Sequence, residues 1–206
     1  MKAPRGWVQL GGLGGVLSLP LIVLAAISSE AGSGDFREGP FAWLVAATGA
    51  AIALFASGLW RFVEPSRSRV LRPSAALLLV GSLGLLALFG GIAVGSALGV
   101  DEPTGLIGMG PIAAGVAALT GFSLGLVLLG FGMLRNRLFP WWARLVPLVL
   151  ALESPLAMVA SGAAEGTAES AVFVAWLSSF GLGWAVLGYA MWGSGRRGAR
   201  SPAAGS

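Results

Sequence analysis

Six long apolar segments, separated by short polar or charged ones, divide the chain. An α-helix rises about 1.5 Å per residue, so about 20 apolar residues cross the roughly 30 Å hydrocarbon core of a bilayer. The pattern therefore predicts an all-α integral membrane protein, a bundle of six transmembrane helices arranged as three hairpins. The predicted spans are 7–28, 41–62, 74–98, 108–134, 144–163 and 171–193.

The composition agrees with a membrane protein and limits its chemistry. Hydrophobic residues make up 56% of the chain and charged residues 11%, whereas a soluble domain has about 25% charged residues. The sequence contains no cysteine and no histidine, which removes thiolate and imidazole metal ligands and the usual general base. We therefore expect no catalytic residue, no metal site and no cofactor, and we do not expect an enzyme.

Basic residues are concentrated at one end of the predicted spans. Twelve of the thirteen basic residues fall at one end, and the positive-inside rule makes that end cytoplasmic, with both chain termini. They lie in four short segments next to the spans, which favours attraction to anionic lipid headgroups over nucleic-acid binding. We expect a transmembrane domain over 1–195 and a basic, disordered cytoplasmic tail over 196–206.

The first and fifth spans resemble each other. A shift of 135 residues places Trp7 on Trp142 and Pro20 on Pro155, and a slightly smaller shift aligns the second span with the sixth. This pattern is typical of internal duplication in membrane bundles. Spans one and two are therefore predicted to repeat as spans five and six.

Glu153 is the exception within this repeat, because Ser18 occupies its place in the first span. It lies near the predicted middle of the bilayer, where an ionised carboxylate costs several kcal/mol unless it is paired. No Lys, Arg or His lies in a span core. We expect Glu153 to keep its proton at neutral pH.

A candidate intramembrane proton or solute site surrounds this acid. Pro155 removes one helical N–H group and frees a carbonyl about one turn earlier, and the hydroxyl and indole groups predicted at similar depth are candidates for hydrogen bonding. Two interpretations stay open: a functional acid, or a protonated packing residue that donates one hydrogen bond. The candidate site comprises Glu153, Ser154, Pro155, Thr120, Ser123 and Trp184.

Aromatic residues at the predicted span ends, among them Trp7, Trp60, Trp141 and Phe41, indicate interfacial anchors. Trp43, Trp176 and Trp184 are placed deeper. They are candidates for lining a cavity, although packing is the simpler use.

The stretches "LFPWWARLVPLVLALESPLAMVA" and "FVAWLSSFGLGWAVLGYAMW" resemble the last hairpin of uncharacterised small six-span membrane proteins of high-GC bacteria. In those proteins a Leu-Pro-x-Trp start and a Leu-Gly-Tyr-x-x-Trp end recur. This chain has Phe139-Pro140 where leucine precedes proline in the pattern. The resemblance implies a six-helix bundle in the bacterial cytoplasmic (inner) membrane, and it implies no activity.

Two functional classes fit these observations. In the first, the chain is an accessory or structural membrane component that packs against itself, as a homo-oligomer, or against another membrane protein. Glycines four residues apart, such as Gly11 with Gly15 and Gly121 with Gly125, are typical of close helix contacts. In the second, it is a small transporter or channel that uses Glu153 as a proton-exchanging group.

Overall fold

A computed structural model describes residues 5–31, 40–64, 68–98, 111–136, 139–163 and 167–197, and α-helices occupy nearly all of them. A single turn of 3₁₀-helix at Trp141–Ala143 precedes the fifth α-helix. The six α-helices are α1 Arg5–Ala31, α2 Pro40–Val63, α3 Leu71–Leu98, α4 Pro111–Asn136, α5 Val146–Ala163 and α6 Thr167–Arg197.

The helix bounds follow the apolar segments closely. Pro40 and Pro111 stand at the first position of α2 and α4, where a missing backbone N–H costs nothing because that group has no helical partner. At the other end of the chain, α6 continues to Arg197. The first two residues of the predicted tail are therefore helical, and residues 198–206 lie outside the described residues.

Five of these helices are long and apolar enough to cross a membrane, which is the architecture of a multi-pass membrane protein. Within the described residues, α5 is not among the five, and it is the shortest α-helix with 18 residues. The five candidate spans are Gly6–Ser28, Pro40–Val63, Leu71–Leu98, Ala113–Asn136 and Val174–Ser194.

The helices form a ring in which each helix packs against the next along the chain and α6 packs against α1. The two helices of each predicted hairpin do touch. However, α6 shares a larger contact with α1 than with α5, and α2 contacts α3 about as extensively as it contacts α1. The hairpins are therefore not separate units of packing.

Glycines set the closest helix contacts. A Cβ built on Gly11 would lie 2.7 Å from the Cα of Gly58 on α2, and one on Gly81 would lie 2.8 Å from the backbone N of Phe122 on α4. A Cβ on Gly15 would lie 2.7 Å from the Cα of Gly188 on α6. Only glycine permits these backbones to approach so closely, so the predicted glycine contacts of α1 and α4 are used inside the bundle.

Helix α5 is attached differently. Its side chains Leu148 and Leu150 fit against Gly130 of α4 and Gly183 of α6. The atoms nearest to both glycines belong to a leucine side chain, and the backbone N of Leu148 lies 3.3 Å from a Cβ built on Gly130. Helix α5 also shares less contact with its two neighbours than any other pair of adjacent helices in the ring shares.

We call the end at which α2 and α4 finish and α3 begins the basic end, and the other the opposite end. Several hydrogen bonds connect the elements at the basic end. The Ser68 hydroxyl accepts the backbone N–H of Leu71 at 3.3 Å and the amide N–H of Asn136 at 3.3 Å. The Arg72 guanidinium donates to the backbone carbonyl of Glu64. These bonds tie the α2–α3 connection to the end of α4.

The solid core lies in the half of the bundle nearer the basic end. Its fully buried side chains include Leu59, Leu71, Leu129, Met133 and Met191, contributed by four of the helices.

Hydroxyl groups buried in the bundle are satisfied within their own helices. Ser18 donates to the carbonyl of Gly15 at 2.7 Å, and Ser74 donates to that of Leu71 at 2.7 Å. Hydroxyls bonded in this way add no unpaired polar group to an apolar interior.

Candidate functional site

A cavity of about 360 Å³ lies between the helices in the half of the bundle nearer the opposite end. All six helices contribute to its wall, and here their side chains do not fill the interior of the ring. Its lining residues are Ile22, Ala25, Phe41, Val45, Thr48, Leu85, Leu88, Phe89, Gly115, Ala118, Leu119, Phe122, Ser123, Leu126, Leu150, Ala151, Trp176, Leu177 and Phe180.

The wall of this cavity is almost wholly apolar, and none of its lining residues is charged. Thr48 and Ser123 supply its hydroxyl groups. The Thr48 hydroxyl donates to the carbonyl of Leu44 in its own helix at 2.9 Å, so it is already paired. Thus the cavity offers hydrocarbon and aromatic surface and very little hydrogen-bonding capacity.

An aromatic cluster closes the cavity toward the basic end. Phe122 and Phe180 line the cavity, and their rings lie 6.0 Å from that of Trp184, centroid to centroid. On the other side Phe55 approaches Trp184 to 5.3 Å, edge to face. Such edge-to-face pairs stabilise a packed core beyond the area they bury, so this cluster forms a firm base for the cavity.

Trp184 is fully buried within this cluster. Among the residues that the structure describes, no hydrogen-bond partner is found for its indole N–H. The hydrogen bond between Trp184 and Glu153 that the sequence suggested is therefore absent among the described residues. Trp184 packs beneath the cavity and is not part of its wall.

Glu153 does not line the cavity either. Leu150 and Ala151 do, and at 100° per residue Glu153 lies about 60° around α5 from Leu150 and about 160° from Ala151. Its side chain is half-buried. No ion pair or hydrogen bond of its carboxyl is found within the described part of the chain. The acid thus lies on the flank of α5.

The remaining predicted site residues are separated from one another. Ser123 lines the cavity from α4. Thr120 is exposed, and its hydroxyl donates to the carbonyl of Val116 at 2.6 Å in its own helix. Ser154 and Pro155 belong to α5, and their side chains lie outside the described residues. The structure brings Ser123 to the cavity wall and leaves Thr120, Glu153 and Trp184 off it.

Sequence reasoning identified part of the cavity wall and missed the rest. Trp176 lines the cavity, whereas Trp43 is 51% exposed on the outside of the bundle. Phe41, interpreted as an interfacial anchor, is instead buried in the cavity wall, where its ring packs edge to face on that of Phe89 at 6.1 Å between centroids. A void depends on how the six helices fit together, and hydropathy along the chain carries no signal for it.

The cavity and the aromatic cluster that closes it are therefore the candidate site of this molecule. Comparison with known proteins gives no match to a family model, to a curated protein or to a solved structure, so the function must be inferred from this geometry.

Proposed function

We propose that this chain is a six-span membrane protein that binds an apolar small molecule in the cavity between its helices. The observation that supports this most strongly is the cavity, because packed protein interiors hold few voids larger than a water molecule. A volume of about 360 Å³ falls within the range of roughly 300–1,000 Å³ found for ligand sites.

The chemistry of the wall defines the ligand class. A cavity lined by aliphatic and aromatic side chains excludes water and takes up apolar molecules, because water would lose hydrogen bonds there. An ion or a strongly polar solute would leave its solvation shell without receiving partners from the wall. The ligand is therefore uncharged and mainly hydrocarbon.

We propose that α5 also crosses the membrane, as the sixth span. Its 18 residues rise about 27 Å, close to the roughly 30 Å of a hydrocarbon core. With α5 in the membrane, the basic ends of all helices lie on one side, and the positive-inside rule places that side in the cytoplasm. We also propose that the protein lies in the bacterial inner membrane, as expected from the sequence.

The sequence led us to expect either an accessory membrane component or a transporter, and the structure favours neither over ligand binding. An accessory role rests on glycine faces that are free for a partner, but Gly11, Gly15 and Gly121 are used between helices of this chain. A transporter role rests on Glu153, which lies off the cavity. The apolar cavity favours ligand binding over both.

Filling the cavity tests the proposal. A Cβ on Gly115 meets nothing within 4 Å, and Gly115 lines the cavity. Gly115→Phe therefore places a ring in the void without a backbone clash. Gly193 has the same open surroundings but does not line the cavity, so Gly193→Phe is the matched control.

The measurement is photolabelling of the protein in liposomes with a small aryl diazirine, followed by mapping of the adducts. We expect adducts on Leu177 and Leu85 in the cavity wall, in addition to those on lipid-facing side chains. The wall adducts should be lost in Gly115→Phe and kept in Gly193→Phe. A wild-type protein labelled only on its outer surface would contradict the proposal.

A further inference from the structure

The face of α4 that meets α5 changes character along its length. Near the basic end, Gly130 packs against Leu148 of α5. Ser123 and Leu119 lie seven and eleven residues earlier, that is two and three turns, and each is within about 20° of the direction of Gly130. All three residues therefore point toward α5.

The two earlier residues lie at the surface of the bundle. Leu119 is 62% exposed and Ser123 is exposed as well, although both line the cavity. The other lining side chains described are buried or half-buried. This face of α4 is thus packed at Gly130 and exposed at Leu119 and Ser123, where the cavity reaches the outside of the bundle.

The opposite flank of α4 is closed. A Cβ on Gly121 would lie 2.6 Å from the Cα of Gly81 on α3, and one on Gly125 would lie 2.9 Å from Leu78. These backbone and side-chain contacts leave no passage between α3 and α4. The opening is therefore specific to the side of α4 that faces α5, the helix with the smallest shared contacts in the ring.

The opening lies at the depth of the lipid tails. Leu119 and Ser123 are eight and twelve residues after Pro111, so they lie about 12 and 18 Å along α4, near the middle of a roughly 30 Å core. At this depth the surroundings of the protein are the terminal parts of acyl chains. Neither residue at the opening carries a charge that would hold a headgroup.

We infer that Leu119 and Ser123 form a lateral portal through which the end of a membrane lipid's acyl chain enters the cavity. This inference rests on the proposed function and names its ligand. The cavity is apolar, it opens at the depth of the chain ends, and acyl chains are the most concentrated apolar groups there. Mass action therefore favours an acyl chain as the occupant, even at low affinity.

The test uses a phospholipid that carries a diazirine at the terminal carbon of one acyl chain. The protein is reconstituted with this lipid, irradiated and mapped for adducts. We expect adducts on Leu177 and Leu85 inside the cavity. In Leu119→Trp the larger side chain should close the portal, so these interior adducts should be lost while adducts on the outer surface remain.

Leu124→Trp is the matched control, because Leu124 is 55% exposed on the same helix and points about 140° away from Leu119. It should label like the wild type. Ser123→Phe provides a second blocking variant if Leu119→Trp proves unstable in a thermal unfolding assay, and it should give the same loss of interior adducts.

The outcomes separate the two proposals. Interior adducts from the free aryl diazirine but none from the acyl-chain probe would overturn the lipid ligand and leave the proposed function standing. Interior adducts from the lipid that persist in both portal variants would overturn the portal. No interior adducts from either probe would contradict the proposed function itself.

Discussion

Helices α1 and α5 correspond in the internal alignment, yet they are held in the bundle by different contacts. Gly15 of α1 meets the backbone of Gly188, whereas its counterpart Leu150 places a side chain against Gly183. Helix α1 has two extensive interfaces with close backbone contacts, and α5 has two smaller ones in which leucine side chains supply the nearest atoms. The two aligned helices thus differ in role: α1 is a fixed wall of the bundle, and α5 is the looser edge of the proposed portal.

The largest expected effect is at the α1–α6 contact. A Cβ on Gly188 would lie 2.5 Å from the carbonyl O of Gly12 and 2.7 Å from the backbone N of Val16. These backbone atoms cannot move aside without displacing the helix, so Gly188→Ala should lower the free energy of unfolding by about 1–3 kcal/mol. Unfolding of the purified protein in mixed micelles with increasing dodecyl sulfate measures this loss.

Gly193→Ala is the control for that variant, because a Cβ there meets nothing within 4 Å. It should leave the stability unchanged or raise it by up to about 1 kcal/mol, since alanine favours the helix more than glycine does. Equal stability of the two variants would show that α1 and α6 are not in backbone contact.

A smaller effect is expected at the α5–α6 contact. A Cβ on Gly183 would lie 2.5 Å from Cδ2 and 2.8 Å from Cγ of Leu150, which are atoms of a side chain that can change rotamer. Gly183→Ala should therefore cost about 1 kcal/mol in the same assay, at the low end of the range for overpacking. A loss as large as that of Gly188→Ala would remove the distinction between the two helices.

The smallest effect is expected at Glu153. Because the side chain is half-buried and makes no hydrogen bond or ion pair among the described residues, Glu153→Gln should change the free energy of unfolding by less than about 0.5 kcal/mol. The same variant in proteoliposomes under a pH gradient should show the proton flux of the wild type. A wild-type flux that the variant lacks would make Glu153 a transport group and favour the transporter over the ligand-binding protein.

The positions of the helices could be predicted from the sequence, and the site could not. Apolar runs and residues such as Pro111 are local signals, so the six helices begin and end within a few residues of the expected positions. The contact of α1 with α6 depends on residues far apart in the chain. Likewise, Gly115 and Leu177 line one void only because the ring brings them together, and the orientation of Glu153 follows from the way α5 packs.

The ring also has a consequence for synthesis. Gly12 and Gly15 of α1 find their partners on α6, which begins more than 130 residues later in the chain. At about 5–20 residues per second, the ribosome needs roughly 7–30 s to make that length. During this time the glycine face of α1 is in the membrane without its partner helix. A chain that stops before α6 therefore presents that unpaired face to chaperones and proteases of the membrane, which can recognise it as unfinished.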